Sequence, residues 1–126
     1  MASVTFDINH ELRLTTFIVH GDISLAEIEQ AITSFYDKLA TQNAIWDLRE
    51  SSVQRLSTND VLALIKFLNR NAYVREKGKT AVVAPKDADF GLARMGEVYA
   101  EKLTTSFRVF RSIEEANDWI RQGLDK

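Results

Sequence analysis

Four hydroxyl residues, Ser51, Ser52, Ser57 and Thr58, lie close together in the segment Asp47-Leu48-Arg49-Glu50-Ser51-Ser52-Val53-Gln54-Arg55-Leu56-Ser57-Thr58-Asn59-Asp60. A hydroxyl at a helix start sits where unpaired backbone N–H groups and the positive end of the helix dipole favour a phosphate, so Ser57 or Thr58 can carry or contact one. The same serine can equally be a plain N-cap, a structural device. Asp47 follows Trp46 at the expected end of a central strand, on the edge where open α/β sheets gather functional loops. There it either serves a function or caps the loop over residues 49–55.

Enzymatic signatures are missing. The chain has no G-x-S-x-G elbow, G-x-x-x-x-G-K-[ST] loop, G-x-G-x-x-G turn or H-E-x-x-H helix. Its two histidines, His10 and His20, are separated by ten extended residues at about 3.3 Å each, too far to share a metal. His20 beside Asp22 can act as a base, but a lone histidine at a strand end is more often a surface or hydrogen-bonded structural residue. A hydrolase built from Ser51 or Ser52 with His20 and Asp47 lacks anything that fixes the three together. With no cysteine there is no disulfide framework, thiolate metal site or thiol nucleophile, and a reducing compartment fits. No catalytic residue, cofactor or metal is therefore expected.

The chain has 126 residues, 45% hydrophobic and 27% charged, which fits one domain over residues 1–126 with a core large enough to stand without staples. Sixteen basic against eighteen acidic residues give a net charge of -2, so nothing neutralises a nucleic-acid backbone. The acidic residues are dispersed among basic ones, and Glu114-Glu115 falls in a helix's first turn, where negative charge suits the dipole. No apolar run reaches the roughly 20 residues of a membrane span, and the N-terminus lacks a signal-peptide layout. The expected location is the cytoplasm.

These side chains must be positioned by the elements around them. Val4, Phe6 and Ile8, then Leu12, Leu14 and Ile18, alternate with polar residues on either side of Asn9-His10, predicting a β-hairpin that ends at Gly21-Asp22. Ser24 with Glu27 forms a capping box inside an Ile23/Ile28 staple and opens a helix carrying Leu25, Ile28, Ile32, Phe35 and Leu39 inward, up to about Ala40. Ala44-Ile45-Trp46-Asp47-Leu48 reads as a buried strand. Ser57 with Asp60 opens a second helix with Val61, Leu64, Ile65, Leu68 and Ala72 inward. After a turn at Gly78-Lys79, Thr80-Ala81-Val82-Val83-Ala84 is a fourth strand stopped by Pro85. Asp87 is expected to cap a third helix with Leu92, Met95, Tyr99 and Leu103 inward. A fifth strand spans 107–110, and Ser112 with Glu115 opens a last helix burying Ile113, Ala116, Ile120 and Leu124. The class is α/β: a mainly parallel five-stranded mixed sheet with an N-terminal β-hairpin at its edge and four helices.

The central segment resembles a known pattern. Asp47-Leu48, then Val53, Leu56 and Ser57-Thr58 before an apolar helix, are similar to the D-L-x-x-V-x-x-I-D-S-S-G stretch of STAS domains, the fold of anti-sigma-factor antagonists. Val109-Phe110-Arg111-Ser112-Ile113-Glu114-Glu115-Ala116 resembles their closing strand and capped helix. The SpoIIAA-like (STAS/SEC14-like) group of small bacterial proteins is closer. It shares the hairpin, a W-D-L-type third strand, a segment like Asp89-Phe90-Gly91-Leu92-Ala93-Arg94, and a V-F-x-x-x-E-x-A-x-x-W-like end reaching Trp119. The resemblance covers nearly the whole chain. It implies a superhelix of stacked β-α units that binds a protein partner or, by analogy with related CRAL-TRIO domains, a lipid or other small apolar ligand, and it implies no enzyme. In the antagonists a serine after the third strand is phosphorylated by the partner kinase. Aligned at Leu56, the resemblance puts Ser57 where their aspartate stands and Thr58 at the acceptor. Asn59-Asp60 replaces the following Ser-Gly, and two extra residues separate Leu48 from Val53, a departure at the point that bears on a phosphoswitch.

The expected partner or ligand surface is formed by Asp47, Arg49, Leu62, Phe67, Phe90, Gly91 and Arg94. Phe90 points away from the third helix's inward stripe, as Leu62 and Phe67 do on the second, and apolar residues outside a core face are candidates for an interface or pocket. Gly91 and Gly96 each cost about 1 kcal/mol against alanine in a helix, which points to close packing or an approaching ligand. Arg94 either holds an anion or pairs with Glu97 or Glu101. Two functions follow: a regulatory interaction module, self-association as a homodimer included, or a carrier whose pocket is lined by Phe67, Phe90 and Tyr99.

Overall fold

The computed structural model describes residues 2–35, 41–53, 55–71, 78–102 and 106–122. Its elements follow the expected order: β1 (Ser3–Asn9), β2 (Leu14–Asp22), α1 (Leu25–Ser34), β3 (Asn43–Ser52), α2 (Thr58–Asn71), β4 (Lys79–Val83), α3 (Asp87–Tyr99), β5 (Ser106–Phe110) and α4 (Ile113–Gln122), with a 3-10 turn at Ala100–Lys102. The sheet order is β1-β2-β3-β4-β5. β1 is antiparallel to β2 and every other pairing is parallel.

Local chemistry sets the boundaries. At α1 the Ser24 amide donates to Glu27 Oε1 at 2.9 Å and the Glu27 amide returns to Ser24 Oγ at 3.3 Å, a complete capping box. At α2 the Ser57 amide donates to Asp60 Oδ2 at 3.0 Å and the Asp60 amide to Ser57 Oγ at 3.1 Å. At α4 the Glu115 amide donates to Ser112 Oγ at 3.2 Å. Asp87 does not cap α3. Lys86 holds the N-cap position without a side-chain bond, and Asp87 instead accepts from Arg111 at 2.7 Å. The hairpin turn is longer than the expected Asn9-His10 pair: it spans residues 10–13, with Arg13 at φ 51° and the Leu12 amide donating to Asn9 Oδ1. Leu12 therefore belongs to the turn and not to β2.

The sheet has two unequal covers. α1, α2 and α3 pack on one face, where Val19, Ile28, Ile32, Leu48, Val53, Leu56, Val82 and Val109 form the main core, extended by Phe17, Phe35 and Ala44. Among the described residues α4 alone covers the other face, setting Ala116, Trp119 and Ile120 against Ile45, Ala81 and Val83.

β3 does not end at Leu48 but continues to Ser52. Beyond a register shift opposite Ile18 and His20, it pairs with β2 as far as Asp22↔Ser52. Backbone pairing sustains the strand where its side chains are polar, so four of the seven residues of the expected loop 49–55 are strand. On α3, the expected inward face is rotated. Asp89 and Gly96 are its buried residues, and Tyr99 is exposed. Phe67 and Phe90, expected to project outward, pack half-buried against the main core. Ala72, Leu103, Leu124 and the expected end of the first helix near Ala40 lie outside the described residues.

Candidate functional site

In a parallel sheet every strand ends at the same rim, and each following helix starts there. Here that rim joins the end of β3 to the starts of α2 and α3. Val53, just past β3, donates its amide to Asp89 Oδ1 on α3 at 3.1 Å. Lys86 Nζ donates to the Ser51 carbonyl at 3.1 Å, and Arg55 reaches the Asp22 carbonyl at 3.3 Å. Arg111, after β5, lies over the Phe90 ring with its guanidinium carbon 4.2 Å from the centroid, and also holds Asp87 and the Pro85 carbonyl.

Of the residues singled out from sequence, Ser57 and Thr58 are exposed at this rim, and Phe90 and Gly91 lie in the first turns of α3 beside it. A Cβ on Gly91 would meet nothing within 4 Å, so its lack of a side chain answers no packing need. A Cβ on Gly96 would sit 3.4 Å from Val61 Cγ1 on α2, ordinary contact, so a methyl fits there but little room is left for a larger side chain. Arg94 is exposed and lies 3.8 Å from Glu97. Leu62 is half-buried on α2.

Asp47 and Arg49 stand elsewhere. Alternation along β3 puts Asp47 on the face of Ile45, the α4 side, with the sheet between it and α2 and α3. Asp47 is buried and receives Arg49 through the amide at 3.0 Å and the guanidinium at 2.7 Å. Burial alone would raise its carboxyl pKa, but these hydrogen bonds and the Arg49 charge outweigh that and hold it below the ordinary value. The side-chain hydrogen bond that Arg49 donates to Asp47 in turn raises the Arg49 pKa. His20 faces Glu50 at 3.0 Å, while Ser51 Oγ donates to the Gly21 carbonyl at 2.8 Å. The three groups of the hydrolase reading thus each have another partner.

Asp89 is the residue that the sequence reading missed as a site element. It is fully buried, at 0% exposure, and its Oδ2 has no hydrogen-bond partner among the described residues. The available signal was spacing: Asp89, Ala93, Gly96 and Ala100 form one helical row.

Between the sheet and α1, α2 and α3 lies an apolar cavity of about 90 Å³. Trp46, Leu48, Ile65, Val82, Leu92 and Phe107 line it, with Thr80 as the one polar contributor. Phe67, Phe90 and Tyr99, the expected pocket residues, are not among its walls. Among the described residues no helix is long and apolar enough to cross a membrane, and no His, Asp and Glu cluster could hold a metal.

No protein-family profile matches the sequence, and no curated protein is significantly similar to it. Solved structures do match. An uncharacterized DUF3478-family protein with a SpoIIAA-like fold from Shewanella loihica superposes with a TM-score of 0.58 at 16% identity, over 94% of this chain and 93% of its own. An anti-sigma factor antagonist from Mycobacterium paratuberculosis does so with a TM-score of 0.58 at 13% identity, over 96% and 95%. Five strands in sequential order, one antiparallel edge, a three-helix cover and superposition over at least 93% of each chain together give this chain the SpoIIAA-like α/β fold.

Proposed function

We propose that this chain is a non-enzymatic regulatory module of the cytoplasm that docks a protein partner through the rim joining β3, α2 and α3. One observation carries the reading: the Val53–Asp89 hydrogen bond ties the segment leading into Ser57-Thr58 to the start of α3, so both helix starts move as one surface. The fold shared with an anti-sigma factor antagonist supports it. Within that rim Thr58 is the acceptor position for a phosphate, because it is exposed and takes no part in the Ser57–Asp60 cap. Ser57 is committed to that cap, and a phosphate there would crowd the Asp60 carboxylate.

Gly91→Arg tests the docking surface. The new side chain enters open space and replaces a helix-breaking residue, so the fold should hold while the rim is blocked. Affinity capture from the native host with wild-type protein should recover a partner that the variant loses. Recovery of the same proteins by both removes the rim as the interface. Mass spectrometry of native protein in several growth states addresses the switch, and an unmodified Thr58 throughout would eliminate it.

The apolar cavity favours a second reading, a carrier or sensor of a small apolar molecule. Native mass spectrometry of freshly purified protein should then show a bound mass that Gly96→Ile, which intrudes on the cavity wall, abolishes. Apo protein in every preparation would end that reading.

A further inference from the structure

The two edges of the sheet are treated differently. On β5, the outward-facing amide of Val109 is closed by Glu97 Oε2 at 2.9 Å, so α3 stoppers that edge with a carboxylate. At the other edge stands β1, and among the described residues nothing pairs with its outer side. Half of its backbone N–H and C=O groups therefore face outward. Proteins blunt such an edge with proline, lysine, a bulge or brevity. β1 has none of these: it pairs with β2 over seven consecutive positions without a register break, and its one charge is Asp7. Phe6, at its centre, is 53% exposed. Phe6 also borders a groove of about 280 Å³ between β1 and α1, together with Val4, Phe17, Ala31 and Phe35.

The sequence of this strand is complementary to itself. Let a second β1 run antiparallel beside the first, with a two-fold axis normal to the sheet and midway between the two Phe6 residues. Ser3 then faces Asn9, Val4 faces Ile8, Thr5 faces Asp7 and Phe6 faces Phe6 of the other copy. Polar residues meet polar, β-branched meet β-branched, and no like charges oppose. The axis keeps Val4, Phe6 and Ile8 of both copies on the helix-covered face, so the second Phe6 ring packs beside the first at the mouth of the groove. Sliding the pair by two residues in one direction sets Asp7 against Asp7. Sliding it in the other direction leaves five pairs. The Phe6-centred register therefore both maximises pairing and avoids repulsion.

We propose that β1 is a self-recognition edge, through which two copies of this chain join antiparallel about Phe6 into one continuous ten-stranded sheet. Each copy contributes five strands. This interface is on the opposite edge of the sheet from β5 and is independent of the rim reading above.

Sedimentation velocity of the full chain over a range of concentrations, with charge variants at Thr5, tests it. Thr5 is exposed and pairs within its own copy only with Ile18, so its replacement leaves the fold intact. Thr5→Lys places an ammonium against Asp7 of the other copy twice per dimer, and should tighten the dimer roughly tenfold. Thr5→Glu places a carboxylate there and should weaken it by a similar factor. Phe6→Asp, with two carboxylates meeting at the axis, should give a monomer. Circular dichroism that matches wild type separates loss of association from loss of fold. The proposal is overturned by wild-type protein that stays monomeric up to millimolar concentration, or by a dimer whose affinity ignores the sign of charge at position 5.

Discussion

Asp89 Oδ1 and the Val53 amide meet at 3.1 Å across 36 positions of sequence, inside the protein and away from water. That bond holds the end of β3 against the start of α3. Asp89→Ala leaves the Val53 N–H buried without an acceptor, at a cost of about 1–3 kcal/mol. Asp89→Asn keeps an oxygen in place to accept from the Val53 amide, so it should lose less. Urea denaturation of the two variants should rank them in that order, and an alanine variant as stable as wild type would show that the bond holds nothing.

Acid should unfold the protein partly through Asp47. Its folded pKa lies below the unfolded value of about 3.9, so its contribution is present above that pH and drains away as the pH falls through the folded pKa. Glu27, held low chiefly by its hydrogen bond from the Ser24 amide, acts with the same sign. Asp47→Asn should therefore flatten the loss of stability below about pH 4. Arg49→Ala removes the guanidinium's share of that effect and keeps the bond from the residue 49 amide, so the stability of this variant should fall less steeply below about pH 4 than that of the wild type. Thermal melts between pH 3 and 7 read both slopes.

The two glycines of α3 should respond differently to size. Gly91→Ala adds a methyl to open space and removes a helix penalty, raising stability by roughly 1 kcal/mol. Gly96→Ala meets Val61 at ordinary contact distance and should also be tolerated. Gly96→Ile forces α3 away from α2, and overpacking of this kind costs about 1–3 kcal/mol. Equal melting temperatures for the alanine and isoleucine variants at position 96 would mean that the helices do not meet there.

Ser57 and Thr58 should separate by role. Ser57→Ala removes a cap and should cost about 1 kcal/mol, whereas Ser57→Asp restores an acceptor and most of the stability. Thr58→Ala should change stability by a few tenths of a kcal/mol at most, as an exposed position outside the cap does. Chemical denaturation of the three proteins decides it.

The elements that could be read from sequence were those whose signals are local. A serine and an acidic residue three positions on bond to each other wherever they open a helix, so Ser24, Ser57 and Ser112 marked three helix starts without knowledge of the rest. Strand alternation likewise disclosed the hairpin. What stayed hidden depended on distant partners. Arg49, Glu50, Ser51 and Ser52 look like a loop because their side chains are polar, and only β2 alongside makes them strand. The buried face of α3 escaped because Gly96 supplies no side chain to a pattern search, and because Asp89 is interior only by virtue of Val53. The rim could be anticipated in outline, since strand ends and helix starts must converge in any β-α stack. That Asp47 turns to the α4 side follows from the pleat once the strand is known to continue.

A sheet whose strands lie side by side in the order of synthesis has a consequence for the nascent chain. Each new strand finds its neighbour already laid down, so the sheet can widen step by step during translation, with no strand awaiting a later one for insertion. The three-helix side can close along the way. The opposite side cannot: Ile45, Ala81 and Val83 stay bare until α4, made after every strand of the sheet, has left the ribosome and docked on them.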